Sequence, residues 1–287
     1  MELIPVRGGH LGVEIVGRGP TVIFLHGGPG DTHHYMKRMA EPLFGEFRCV
    51  LFDQRGTGAS SDIGRNPAEF TMDRLFDDLI RVADHACGAT GEKPALVGHS
   101  WGAMYALYAG LEFPEKFSRA ALLNMGPLDA EMERATSEHL TSVLTDAEKG
   151  EWADYQSQRN AARDRGDIDA VNLFDEKLMR LRVKAWVYNP ALREEFLKDY
   201  FQDPPPDREV NRWIWEAQQG WFSWEKKSST PMWIAVGAND SVPVAQAERL
   251  AAAMPASELR IFTECGHIPW LEQRREFDRE LRAFLGG

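Results

Sequence analysis

Gly98–Gly102 reads GHSWG, a serine with a glycine two positions to either side. A serine hydroxyl is a weak nucleophile; it needs a base, and the base needs a group to orient it. The pattern carries chemistry only where a strand runs into it and a helix leaves it, on a turn tight enough to demand small flanking residues. Here the apolar run Ala95–Val97 precedes it and the helical pattern of Trp101–Leu111 follows. Ser100 is therefore expected at the C-terminal end of a strand, over the positive end of a helix. Such a nucleophile is followed along the chain by its acid and then its histidine. GANDSVP puts Asp240 just past the apolar run Met232–Val236, and ECGHIPWLE puts His267 just past Leu259–Phe262. Asp129 is the one serious rival acid; Asp240 is preferred because its turn follows its strand directly.

A second stretch, HGGPG (His26–Gly30), ends the apolar run Thr21–Leu25. A phosphate-cradling loop needs Lys and then Ser or Thr after its last glycine, and Asp31-Thr32-His33 stand there instead. The dinucleotide spacing is absent too. Beyond a plain tight turn, what remains is a loop whose main chain approaches a developing oxyanion. Two backbone donors are required there, each contributing roughly 2.7–4 kcal/mol. Trp101 N–H, after the nucleophile, is one; Gly28 N–H is the other, since Pro29 has no N–H to give. His26 and His99 adjoin these motifs and read as structural. His33 and His34 line the site or face solvent, and His10, His85 and His139 have no motif context. Neither H-E-x-x-H nor paired cysteines occur, so no metal and no other cofactor is expected.

These groups require a sheet to hold them. Short apolar runs recur at Thr21–Leu25, Cys49–Phe52, Ala95–Val97, Ala120–Leu123, Met232–Val236 and Leu259–Phe262. Between several lie helical patterns: Thr71–Ala86, Trp101–Leu111, Val244–Ala253 and Arg274–Phe284. In the first, Leu75, Leu79, Val82 and Ala86 share one face, and Thr71 can cap it. Alternating strands and helices predict an α/β fold, a mostly parallel sheet with helices on both faces. Pro127–Ser229 breaks the rhythm: it is charged, mostly helical, and holds six of the nine tryptophans. It reads as a helical cap inserted over the end of the sheet, with Asp203–Asp207 (DPPPD) as a rigid turn. At least half of those tryptophans are expected to form the insertion's own core.

The 287 residues suit one large domain, or one domain with an insertion. A net charge of −11 lacks the basic footprint of a nucleic-acid binder. No apolar run reaches membrane-span length, and MELIPVRGGH does not read as a secretion signal. Cys49, Cys87 and Cys265 are scattered and odd in number, as in a reduced, cytoplasmic protein. The expected partner is a small-molecule substrate, with no nucleic acid and no membrane; oligomeric state is left open.

Taken together, HGGPG, FDQRGTGAS (Phe52–Ser60), GHSWG, GANDSVP and CGHIPWLEQRREF resemble the proline iminopeptidase group of the α/β-hydrolases. The resemblance spans Leu11–Gly126 and Thr230–Gly287. It implies a core of residues 1–126 and 230–287 and a helical cap of residues 127–229. It implies release of an N-terminal proline, with esterases, lactonases, amidases and acyltransferases as close relatives, and makes Asp53 and Arg55 structural pins of the DQRG turn. The group holds its substrate's ammonium with cap glutamates and a further acid near the catalytic Asp. IWEAQQGWFSW resembles the segment that supplies one, which points to Glu216, with Trp215 and Trp221 beside it in the pocket wall. Some members carry Glu directly after the catalytic acid; this chain has Ser241, which removes one leg of that clamp unless Glu225 or another cap acid replaces it. The departure weakens the peptidase reading, which stays first, and raises the alternative of an esterase or lactonase. A receptor-like binding module of the same fold is the other class of function, and the full Ser–Asp–His set argues against it. Dehalogenase and epoxide hydrolase chemistry needs a carboxylate where Ser100 stands.

Overall fold

The computed structural model describes residues 1–202 and 205–287, Ala89 by its backbone alone. In chain order the main elements are β1 (Glu2–Val6), β2 (Gly9–Gly17), β3 (Thr21–Leu25), α1 (Lys37–Ala40), β4 (Arg48–Phe52), α2 (Met72–Cys87), β5 (Ala95–His99), α3 (Trp101–Glu112) and β6 (Ala120–Leu123). Then follow α4 (Ala130–Ser142), α5 (Asp146–Asp164), α6 (Ile168–Trp186), α7 (Arg193–Tyr200) and α8 (Arg208–Ala217). The chain closes with β7 (Met232–Gly237), α9 (Val244–Ala253), β8 (Ser257–Phe262), α10 (Pro269–Glu272) and α11 (Arg274–Gly286).

The eight strands form one sheet in the order β1-β2-β4-β3-β5-β6-β7-β8. β2 runs antiparallel to both its neighbours, and every other pair is parallel. β3 and β5 are buried at every position, which is why they read as unbroken apolar runs rather than alternating ones. They pair directly, Leu25 opposite Gly98. The HGGPG loop and the GHSWG turn thus leave the same sheet edge side by side, where open α/β sheets bind ligands. α2 forms as its periodicity predicts, with the Thr71 hydroxyl accepting from Arg74 N at 3.3 Å.

β1 and β2 were not expected from the sequence. This outer hairpin is part exposed and mixes apolar with polar residues and glycine, so no buried run marks it. Between β6 and β7 the chain adds no strand among the described residues, only α4–α8. These helices are not a separate body. Met179, Val183 and Val187 pack with Phe24, Val97 and Trp270, while Val210, Trp213 and Ile214 pack with Trp101 and Phe70. Only Leu144, Trp152, Leu178 and Leu181 form a small core of their own. Of the expected turn Asp203–Asp207, Asp203 and Pro204 lie outside the described residues; Asp207 caps α8, accepting from Glu209 N and Val210 N. Among the described residues no helix is long and apolar enough to cross a membrane.

Candidate active site

Ser100 sits between β5 and α3 at φ 57°, ψ −121°, a conformation that costs a non-glycine residue about 1–3 kcal/mol. Surrounding bonds hold it there: Ser100 N donates to Leu123 O at 2.9 Å, and Ser100 O accepts from Ala103 N and Gly126 N. The flanking glycines follow from close approach. A Cβ at Gly98 would lie 2.1 Å from Gly102 O, and one at Gly102 would lie 2.0 Å from Leu25 O. The spacing of the motif is thus set by the contact of this turn with itself and with β3.

His267 and Asp240 are both buried. His267 Nδ1 donates to Asp240 Oδ1 at 2.8 Å, 3.0 Å from Oδ2, which leaves Nε2 as the acceptor of a neutral imidazole. Burial works against the ionised Asp240. The histidine and the donors from Asn124 and Ser241 outweigh it and hold the carboxyl below its usual range. Asn124, at φ 44° just past β6, reaches Asp240 Oδ2 at 2.7 Å and Gly266 O at 2.9 Å, so one amide fixes the acid and the histidine loop together. The rival Asp129 is the cap of α4, bonded to Glu131 N and Met132 N and paired with Arg249.

The two histidines next to the motifs are wired into the backbone. His26 Nδ1 donates to Gly27 O and its Nε2 accepts from Gln54 N; burial pushes it down to about 4, so it is neutral. Gly27 N–H donates to the Tyr35 hydroxyl at 2.7 Å, Tyr35 donates to His99 Nδ1 at 2.9 Å, and His99 Nε2 donates to His267 O at 3.0 Å. Burial, with His267 alongside, holds His99 well below the usual histidine range. The relay ties three loops: glycine loop, serine turn and histidine loop. With Gly27 N–H engaged by Tyr35, Gly28 N–H has no acceptor among the described residues, and Trp101 N–H is the first of α3, where intrahelical acceptors are lacking. Asp53 and Arg55 pin the loop behind: Asp53 accepts from His33 and Ala59 N, and Arg55 makes a two-pronged pair with Asp78 on α2.

Ser100, His267, Gly27, Gly28, Tyr35 and His99 face a cavity of about 420 Å³, within the usual range for a small-molecule site. The Ser100 hydroxyl has no hydrogen-bond partner among the described residues, and catalytic hydrogen bonds are often long before substrate tightens them. The helical insertion supplies the opposite wall. Trp186, the last residue of α6, stacks on the His267 ring with centroids 5.0 Å apart, and its carbonyl accepts His267 N–H at 2.6 Å. Trp215 also lines the cavity.

Glu216 and Trp221 are not brought there. One residue turns a helix by about 100°, so Glu216 leaves the face that Trp215 occupies and is exposed. Trp221 lies past the end of α8 and packs edge-on against Phe76 at 5.2 Å. In their place the wall carries five arginines, Arg159, Arg163, Arg182, Arg208 and Arg212, and Asp31, just past the glycine loop, is the one carboxylate lining the cavity among the described residues. Burial raises Asp31 to about 6, against the pull of Arg208 and Arg182. Of the six tryptophans in the insertion, only Trp186 and Trp215 line the cavity.

A parallel sheet with an inverted second strand, and a serine on a strained strand-to-helix turn at its edge, define the class of α/β hydrolases. The chain belongs to the alpha/beta hydrolase fold family, which matches residues 20–273. It is 24% identical over 280 residues to the proline iminopeptidase of Saccharolobus solfataricus, covering 95% of this chain and 86% of that one. Among solved structures, a proline iminopeptidase-related protein from Thermus thermophilus superposes with a TM-score of 0.73 at 23% identity, covering 99% of this chain and 96% of the other. The enol-lactonase of Burkholderia xenovorans superposes with a TM-score of 0.70 at 18% identity, over the full length of both chains. At these identities the structural matches speak for the shared fold. The resemblance to proline iminopeptidases covers nearly the whole chain, and the protein is a hydrolase of that kinship.

Proposed function

We propose that this hydrolase is a serine esterase or lactonase acting through an acyl-enzyme. The observation that carries the reading is Ser100 sharing one cavity with a buried His267 whose Nδ1 is committed to Asp240. His267 Nε2 takes the Ser100 proton as the oxygen attacks the substrate carbonyl. Asp240 keeps the tautomer and stabilises the imidazolium. The oxyanion is held by the main-chain N–H groups of Gly28 and Trp101. His267 returns the proton to the leaving oxygen, then activates water to release the acyl group.

Esters and lactones are preferred to prolyl peptides because the lining is cationic. A free substrate ammonium would enter among arginines, and Glu216 is not there to receive it. Release of N-terminal proline stays as a second reading, favoured by the named relatives and by the Asp31 carboxylate in the cavity. The test is labelling with a fluorophosphonate, followed by turnover of acyl esters, lactones and prolyl amides. Ser100→Ala is expected to abolish labelling and lower turnover by about 10⁴-fold or more. Labelling that survives this change overturns the nucleophile. Prolyl amides outrunning esters, and losing that lead when the proline nitrogen is acetylated, would establish the second reading instead.

A further inference from the structure

The arginines of the cavity wall are not equivalent. Arg159 and Arg208 share Asp175, at 3.1 and 2.8 Å, so their charge is largely answered within the fold. Arg163 and Arg212 line the cavity but are exposed to solvent, where a cation attracts anions without fixing them. Arg182 differs from both pairs. It is partly buried on α6, and it has no hydrogen bond and no ion pair to a described residue. Its guanidinium lies over two indole rings, Trp152 and Trp186, each 5.6 Å from the ring centroid. Stacking occupies the faces of a guanidinium and leaves its in-plane N–H donors for a planar anion. Through Trp186, which stacks on His267, this cation is coupled to the reacting centre by two successive ring contacts.

A partly buried charge without a partner is costly to maintain, and an anion that supplies one recovers that cost on binding. The chain as a whole carries −11, so a cationic cavity is not a by-product of composition. Asp31 shares the cavity but lies beyond ion-pair distance of Arg182.

Building on the esterase or lactonase reading above, we infer that the substrate hydrolysed at Ser100 carries a carboxylate besides the scissile bond, and that Arg182 receives it as a two-pronged partner. Arg163 and Arg212 steer it inward. The fork fits either anion, but one guanidinium answers the single charge of a carboxylate, where a phosphate monoester would bring nearly two.

Two measurements test this independently. The first compares kcat/KM for 4-nitrophenyl hydrogen glutarate, which is anionic, with that for neutral 4-nitrophenyl butyrate. The parent is expected to prefer the anion. Arg182→Met is expected to lower the ratio by about 10- to 150-fold, the weight of a hydrogen bond to a charged group. Arg275→Met, on α11 away from the cavity, serves as the control and leaves the ratio where it was. An unchanged ratio in Arg182→Met, or a parent with no anionic preference, overturns the inference while leaving the esterase intact.

The second measurement needs no turnover. Calorimetry on Ser100→Ala is expected to show binding of monomethyl glutarate and none of dimethyl glutarate. If no ester is ever hydrolysed yet the monoanion binds and Arg182→Met loses it, the anion site stands and the esterase reading falls. Equal binding of monoester and diester, or phosphate binding as well as the monoester, overturns the carboxylate assignment. Should Arg182→Met fail to fold, the parent's preference and this ligand pair still decide.

Discussion

Behind and along the sheet side of the cavity burial keeps His26 and His99 neutral, and each of their ring nitrogens and the Tyr35 hydroxyl has a partner at hydrogen-bond distance. On the side of the helical insertion Arg182 bears a charge with no partner among the described residues, and facing it, just past the glycine loop, Asp31 is a carboxylate that burial pushes toward its neutral form. Under the proposed mechanism the sheet side would hold reacting atoms to a fraction of an ångström, and satisfied neutral networks are rigid. The insertion side must recognise something that arrives. Groups left incompletely paired are what a ligand can complete.

The largest expected effect lies on the sheet side. Asp240→Asn keeps the shape but reverses the hydrogen bond to His267 Nδ1, so turnover is expected to fall on the order of 10⁴-fold. Asp129→Asn is expected to leave turnover near the parent's, because asparagine caps a helix as well as aspartate does. Steady-state kinetics on both variants check this. A crippled Asp129→Asn beside a mild Asp240→Asn would exchange their roles.

The same contrast governs what could be read from the chain. The sheet side is local in sequence: five residues make the serine turn and five the glycine loop, because backbone contacts at fixed spacing demand glycine. The strands beneath were legible because parallel strands covered on both faces are continuous apolar runs. Asn124 was missed, although an Asn directly after the run Ala120–Leu123 is a residue type suited to the positive φ found there. The insertion side is distributed. Arg159 and Arg163 on α5, and Arg208 and Arg212 on α8, are each spaced i, i+4, and so share a helix face. A charged face on a helix is ordinarily solvated, so the spacing alone does not mark a pocket. One sharper signal was present: Arg208 is the first residue of α8, where a cation opposes the helix dipole, and Asp175 is what holds it. Glu216 was drawn from the resemblance to the proline iminopeptidases rather than from its own surroundings, and its exposure is the result.

Acid stability separates two groups at the ends of the glycine loop by sign. His26 has its proton affinity lowered from 6.5 to about 4, so the unfolded chain binds a proton there that the folded chain refuses. Its contribution is complete above about pH 6.5 and is lost as pH falls toward 4, at a cost of about 3 kcal/mol. Asp31 is raised from 3.8 to about 6, so the folded chain binds the extra proton and stability falls as pH rises through that window, by about 3 kcal/mol. In the parent the two slopes oppose one another. Urea midpoints between pH 4 and 7 are expected to show it by difference: His26→Gln removes a rising component, and Asp31→Asn removes a falling one. Variants whose profiles run parallel to the parent's would show that neither group is held as described.

The smallest effect concerns the relay that joins the loops. Tyr35→Phe removes the acceptor for Gly27 N–H and the donor to His99 Nδ1 while keeping the ring. A neutral hydrogen bond contributes about 0.5–1.5 kcal/mol net, so an effect of about 2- to 12-fold is expected. Where that loss falls is the informative part. Gly27 adjoins Gly28, and His99 holds the carbonyl of His267, so under the proposed mechanism the relay positions groups that would act on the transition state rather than on the bound substrate. The loss is therefore expected in kcat, with KM unchanged and the melting temperature lower. A lower melting temperature with kcat intact would make the relay a brace for the fold alone. A change confined to KM would place Tyr35, which also lines the cavity, with the groups that meet the substrate.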